Sequence, residues 1–175
     1  MYQERILYNS DGEKVKTDTT YFTGRFNDDK GYALYAYGNT ISSRIRVDFP
    51  PGMNKNDIAN MVLLSRKLIP NTNMLGYRGH KRNKPMNTVQ IGEVIGLQER
   101  QAYRFMKKMV SVGMIKRINA PIMGGHELQY IVNPLYFMNG KTISDNLYEI
   151  FRGSMDKHLP PWVKDKYQKR MGGQA

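Results

Sequence analysis

Asn87-Thr88-Val89-Gln90-Ile91-Gly92-Glu93-Val94-Ile95-Gly96-Leu97-Gln98-Glu99-Arg100-Gln101-Ala102-Tyr103-Arg104-Phe105-Met106-Lys107-Lys108-Met109-Val110-Ser111-Val112-Gly113 decides the fold. Asn87 or Thr88 can cap a short helix, to which Val89, Ile91, Val94 and Ile95 give an apolar side. Gly96 accepts the left-handed backbone that ends helices. Only Leu97 then separates it from a second helix, Gln98 to Val112. In that helix Ala102, Phe105, Met106, Met109 and Val110 recur at spacings of three and four and point inward. Arg100, Gln101, Arg104, Lys107, Lys108 and Ser111 point out, and Gly113 stops the helix.

Downstream, Met114–Ile118 has a strand pattern, residues 119–125 make a loop with Pro121 and Gly124-Gly125, and His126–Val132 returns as a second strand. Asn133-Pro134 breaks this hairpin. Upstream, Asn54 or Asn56 caps a helix striped by Ile58, Met61, Val62, Leu64, Leu68 and Ile69, which Pro70 ends. A polar loop over residues 71–87 follows and carries Arg78, His80, Lys81, Arg82 and Lys84. Helix, short helix, tight glycine turn, basic helix, hairpin is the order of a winged helix-turn-helix.

The flanks differ in kind. Before residue 50, Arg5–Tyr8 and Lys14–Lys16 surround Asp11-Gly12, a tight-turn signal, and Tyr32–Tyr37 is an aromatic strand candidate. Ile45, Val47 and Phe49 alternate with charges until Pro50-Pro51-Gly52. After residue 134, Ile143–Phe151 and Pro161–Arg170 read as two short amphipathic helices. The class is α+β, with a β-rich segment over 1–50, a winged helix-turn-helix over 51–133 and a C-terminal helical extension over 134–175.

Charge follows the same division. The chain has 27 Lys/Arg against 15 Asp/Glu in 175 residues, a net +12. Seven bases and seven acids cancel over residues 1–53, so the excess lies beyond them. Between Arg78 and Arg117 ten bases face only Glu93 and Glu99. A concentrated excess of that kind points to a polyanion, and nucleic acid is the commonest. A helix of that width fits the major groove of duplex DNA, where base edges present distinguishable donors and acceptors. Arg100, Gln101 and Arg104, near the helix start with Gln98, are placed for bases. Arginine pairs bidentately with guanine and glutamine with adenine. Tyr103 can approach a thymine methyl or a phosphate, and Glu99 can accept from a cytosine amino group or orient Arg100. Lys107 and Lys108, further along, suit phosphates. Lys116, Arg117, His126 and the loop residues Lys81, Arg82 and Lys84 suit a flanking backbone or minor groove.

Other chemistries have no residues to carry them. The chain lacks cysteine, which excludes disulfides, thiolate metal sites and a thiol nucleophile. His80, His126 and His158 stand far apart, and no glycine-rich phosphate loop with Lys-Ser/Thr occurs. Asp28-Asp29 reads as a solvated turn. We therefore expect no enzyme activity, no metal and no cofactor. No run is apolar enough to span a membrane, and the N-terminus does not resemble a signal peptide, so a soluble cytoplasmic protein is expected.

Three stretches also resemble a known family: Asn73-Met74-Leu75-Gly76-Tyr77-Arg78-Gly79, Ile95-Gly96-Leu97-Gln98-Glu99-Arg100-Gln101, and Val132-Asn133-Pro134-Leu135-Tyr136-Phe137-Met138-Asn139-Gly140-Lys141. They are similar to the RepL-type replication proteins of Firmicute plasmids and related phage winged-helix proteins. The resemblance covers roughly residues 45–165 and leaves out the first 45. It implies a DNA-binding protein for plasmid or phage replication, with relatives often described as transcriptional regulators, and it matches Arg100, Gln101 and Arg104 to the recognition-helix slots. The expected partner is double-stranded DNA, bound as a homodimer with Leu147, Ile150, Phe151, Leu159 and Trp162 in the subunit contact. The alternative is a phage interaction module that binds host replication or transcription proteins.

Overall fold

The computed structural model of the chain describes residues 47–79, 82–121 and 125–172 in full, and residues 2–8, 14–21, 26–27, 31–33 and 122 through their backbone. Strands β1 (Tyr2–Tyr8) and β2 (Lys14–Tyr21) pair antiparallel, Tyr2 opposite Tyr21. Both arms of the expected hairpin are thus present, and its Asp11-Gly12 turn lies outside the described residues. β3 (Phe26–Asn27) pairs with β4 (Gly31–Ala33), and β4 pairs on its other edge with Thr142–Ile143. The rest of the Tyr32–Tyr37 candidate, and Asp28-Asp29, lie outside the described residues. The alternation through Phe49 is not a strand over residues 47–50, which have no regular structure. Its apolar residues are held by packing instead of a ladder: Val47 lies against the C-terminal core, and the Phe49 ring stacks on Tyr136 at 5.9 Å.

Helix α1 (Lys55–Ser65) begins at Asn54. The Asn54 Oδ1 accepts from the Asp57 amide and Asp57 Oδ2 accepts from the Asn54 amide, both at 2.8 Å, so two orphan amides satisfy each other's side chains. The helix ends at Ser65, short of Pro70, because Leu68 leaves it to bridge to Leu75. Met61, Leu64, Leu68 and Ile69 are buried as expected, whereas Val62 is exposed beside Leu63.

The segment expected to be a polar loop holds a small hairpin, β5 (Gly76–Tyr77) and β6 (Lys84–Pro85). Next come α2 (Thr88–Ile95), capped by Asn87 and closed by Gly96 at φ 68, and α3 (Glu99–Ser111), followed by Gly113 at φ 75. β7 (Ile115–Ile122) and β8 (Gly125–Val132) then form a hairpin paired continuously from Ile115 opposite Val132 to Ile122 opposite Gly125. Most of the loop expected over residues 119–125 is therefore ladder. Pro121 is tolerated because β7 pairs only with β8 among the described residues, and an outer strand can spare an amide. On the other edge of β8, Met74 bridges Ile131, the Leu75 amide donates to Tyr130 O (2.9 Å) and the Val132 amide to Asn73 O (2.9 Å).

The C-terminal part contains β9 (Thr142–Ile143), α4 (Asp145–Ile150), α5 (Arg152–His158) and α6 (Pro161–Gly172). Three helices replace the two expected. The α5 stretch Arg152-Gly153-Ser154 has weak helix propensity, and the burial of Met155 holds it in place. Leu147, Phe151 and Leu159 are buried in the chain's own core and Ile150 is half-buried, so of the subunit-contact residues only Trp162 is exposed. Those four cover the monomer instead.

Two apolar clusters result. One joins α1, α2, α3 and the β7–β8 hairpin; the other gathers the C-terminal helices together with Ile69, Met74 and Ile131. Two asparagines, Asn133 buried and Asn139 half-buried, tie down the segments between them. The Asn133 Nδ2 donates to Gly113 O (3.2 Å) and Ser154 Oγ (3.0 Å), while its Oδ1 accepts from the Leu135 amide (3.1 Å). The Asn139 Nδ2 donates to Leu68 O at 2.6 Å.

In the second cluster the Tyr148 and Tyr167 rings stack at 4.1 Å, and both are fully buried. Burial, then the hydrogen bond that its hydroxyl gives to Asp156 (2.5 Å), hold the Tyr148 pKa well above the ordinary value of 10.0. The fold favours the neutral phenol, so this contribution is complete below about pH 10 and is lost as the pH climbs toward the folded value. The unfolding temperature of the wild type should fall steeply above about pH 10. Tyr148→Phe should start about 1–2 kcal/mol less stable at pH 7 and lose less over the same alkaline range, because it has no phenol to ionise. Equal alkaline slopes would refute this.

Candidate nucleic-acid interface

The α3 sequence sorts its residues by angle. At 100° per residue, Ala102, Phe105, Met106 and Met109 fall on one side, and all four are buried. Arg100, Arg104, Lys107 and Ser111 fall on the opposite side and are exposed, with Tyr103 beside them. The helix is held outward by its seat on α2. There Gly92 has no room for a side chain: a Cβ would meet Leu97 O at 2.7 Å and the Ala102 Cβ at 3.0 Å. That close approach gives Gly92 a role that its place on a short helix did not signal.

The exposed bases of α3 and of the two hairpins stand apart from the acids of the described residues. Among the described residues no ion pair forms to Arg100, Arg104, Lys107, Lys116, Arg117, Arg82 or Lys84. Arg100, Arg104 and Lys107 thus form a stripe of cations along one helix that no acid among the described residues neutralises, and Lys116 and Arg117 add two more exposed bases on the hairpin that follows.

Lys108 is not part of it. Its Nζ lies 2.6 Å from Asp57 Oδ2, the same oxygen that caps α1, so it points to the α1 side and ties α3 to α1. The expectation that Lys108 faces out is corrected for this reason: at 80° from Arg100 it sits on the flank of the helix, within reach of a carboxylate that is largely buried. Asp57 was not foreseen as its partner. The only signal was its spacing from Asn54, which marks a cap. Gln101 also has a local task, since its Oε1 accepts from the Gln98 amide at 3.3 Å, and reading adenine would require it to leave that bond. Glu99 is exposed and makes no ion pair with Arg100; its carboxylate sits in the first turn, where the helix dipole favours an anion.

The remaining candidates fall into two further places. Lys116 and Arg117 are exposed at the base of the β7–β8 hairpin, whereas His126 sits opposite Pro121 near its turn, roughly 15 Å along the strand. Arg82 and Lys84 are exposed on the β5–β6 hairpin, with Arg78, which the sequence placed only in a loop; Lys81 and His80 lie outside the described residues. Because the 73–77 segment runs antiparallel to β8, this second basic hairpin points toward the same end of the sheet as the β7–β8 turn.

No family model, curated protein or solved structure matches the chain. A rod of cations and hydrogen-bond donors, with a basic hairpin beside it, suits a repeating anionic ligand. The structure also has no helix, among the described residues, long and apolar enough to cross a membrane.

Proposed function

We propose that the chain is a sequence-specific double-stranded DNA-binding protein of winged helix-turn-helix type, acting in the replication or transcription of a plasmid or phage. The carrying observation is the unpaired cationic stripe Arg100–Arg104–Lys107 on the outward face of α3. In this reading α2 and α3 are the helix-turn-helix, α3 enters the major groove, and the β7–β8 hairpin is the wing. The segment beside β8 supplies the third strand that such domains place between their first two helices. The resemblance to RepL-type replication proteins supports the same assignment and supplies the mobile-element context. Arg100 and Arg104 read guanine edges, and Lys107, Lys116, Arg117 and the β5–β6 hairpin grip phosphates.

The test compares two neighbouring lysines. Lys107→Ala should weaken binding to every duplex and reduce the slope of log affinity against log salt by about 0.9, the signature of one lost phosphate contact. Lys108→Ala should leave that slope unchanged and instead cost about 1 kcal/mol of stability, because it breaks an internal pair. Absence of duplex binding at moderate salt, or equal salt slopes for wild type and Lys107→Ala, would overturn the proposal.

A further inference from the structure

We propose that Tyr103 is a specificity residue that reads the C5-methyl group of a thymine, an inference that rests on the DNA-binding reading and deepens it. Tyr103 is 62% exposed, more than any other large hydrophobic residue described in the chain. It has no ring partner, hydrogen bond or cation over its face among the described residues. It is also surrounded: Arg100 lies one turn before it, Arg104 next to it and Lys107 one turn after, all on the outward face.

An unpartnered aromatic ring among cations is unfavourable in water and contributes nothing to the core, which α3 builds from Ala102, Phe105, Met106 and Met109. It also grips phosphate less well than the lysine or arginine that its neighbours supply. What the ring offers is apolar surface inside the groove. Of the four base pairs' major-groove edges, only thymine presents an apolar group, its methyl. Arg100 and Arg104 are about 6 Å apart along the helix, roughly two base-pair steps. A tyrosine between them therefore meets a base within one step of the guanine that Arg104 reads. The preferred site contains a thymine there.

The experiment selects duplexes from a random pool with the full chain, then replaces each thymine of the selected site by deoxyuridine, which lacks only the methyl. At one position this should weaken wild-type binding about fourfold, the transfer worth of a single methyl group. Tyr103→Ala should bind the thymine and uracil duplexes equally, while Tyr103→Phe should keep the discrimination. Indifference of the wild type to uracil at every position overturns the inference and leaves the DNA-binding reading standing. A loss of affinity with Tyr103→Phe but not with uracil overturns it too, showing that the hydroxyl acts on a phosphate. Failure to select any sequence overturns both.

Discussion

Arg104→Ala is expected to lose about 1–3 kcal/mol, some five- to 150-fold, on the preferred duplex and far less on random DNA. Arg104 stands one turn into α3, on the side opposite Phe105 and Met109, and no carboxylate engages it among the described residues. Removing it therefore breaks nothing inside the fold, and its thermal transition should stay where it is. A base contact exists only where the right edge is presented, so the loss must be confined to the preferred sequence. The measurement is a pair of fluorescence-anisotropy titrations at one salt concentration, on the selected and on a scrambled duplex. Equal losses on both would reassign Arg104 to a phosphate. No loss on either would remove α3 from the interface.

Asn73→Ala should be strongly destabilising. Its side chain is 1% exposed; Nδ2 donates to Val132 O (2.9 Å) and Phe137 O (2.7 Å), and Oδ1 accepts from the Asn139 amide (3.0 Å). Alanine strands those three backbone groups and must also hold φ 53, which asparagine tolerates better. The expected cost is about 3–5 kcal/mol, or roughly 10–15 °C in Tm for a chain of this size. Asn73→Gly accepts the backbone without strain and should recover about 1 kcal/mol of that loss, which separates the two causes. Folded Asn73→Ala at low temperature should bind DNA as the wild type does. A Tm shift below about 3 °C would show that water replaces the lost bonds.

The parts of the fold that could be read in the sequence are those with local causes. Asn87 and Gly96 bound α2 because a cap and a left-handed terminus act within a few residues, and the inward face of α3 follows from its period alone. The parts that could not be read depend on distant partners. β5 and β6 are two residues each, too short to show a pattern, and 73–75 is drawn into place by β8. α5 is helical despite Gly153 because the C-terminal core takes Met155. At the candidate site, the outward placement of Arg100, Arg104 and Lys107 is legible from their spacing. Lys108 has the same chemistry but sits on the flank of α3, where Asp57, fifty-one residues earlier, takes it, a partner that no local pattern reveals.

The pairing of β4 with β9 has a consequence for how the protein is made. Tyr32 lies opposite Ile143, so more than a hundred residues must leave the ribosome before that edge finds its neighbour. Helices α1 to α3 and the β7–β8 hairpin, all encoded in between, can assemble first from contacts closer in sequence. The β3–β4 pair waits meanwhile with an open edge, a template for the same strand of another nascent chain. Gly31 belongs to that edge, and a Cβ there would meet Ile143 O at 2.1 Å. The β4–β9 ladder thus joins a strand synthesised early to one synthesised late. Closely spaced ribosomes on one message make its mispairing a matter of local chain concentration.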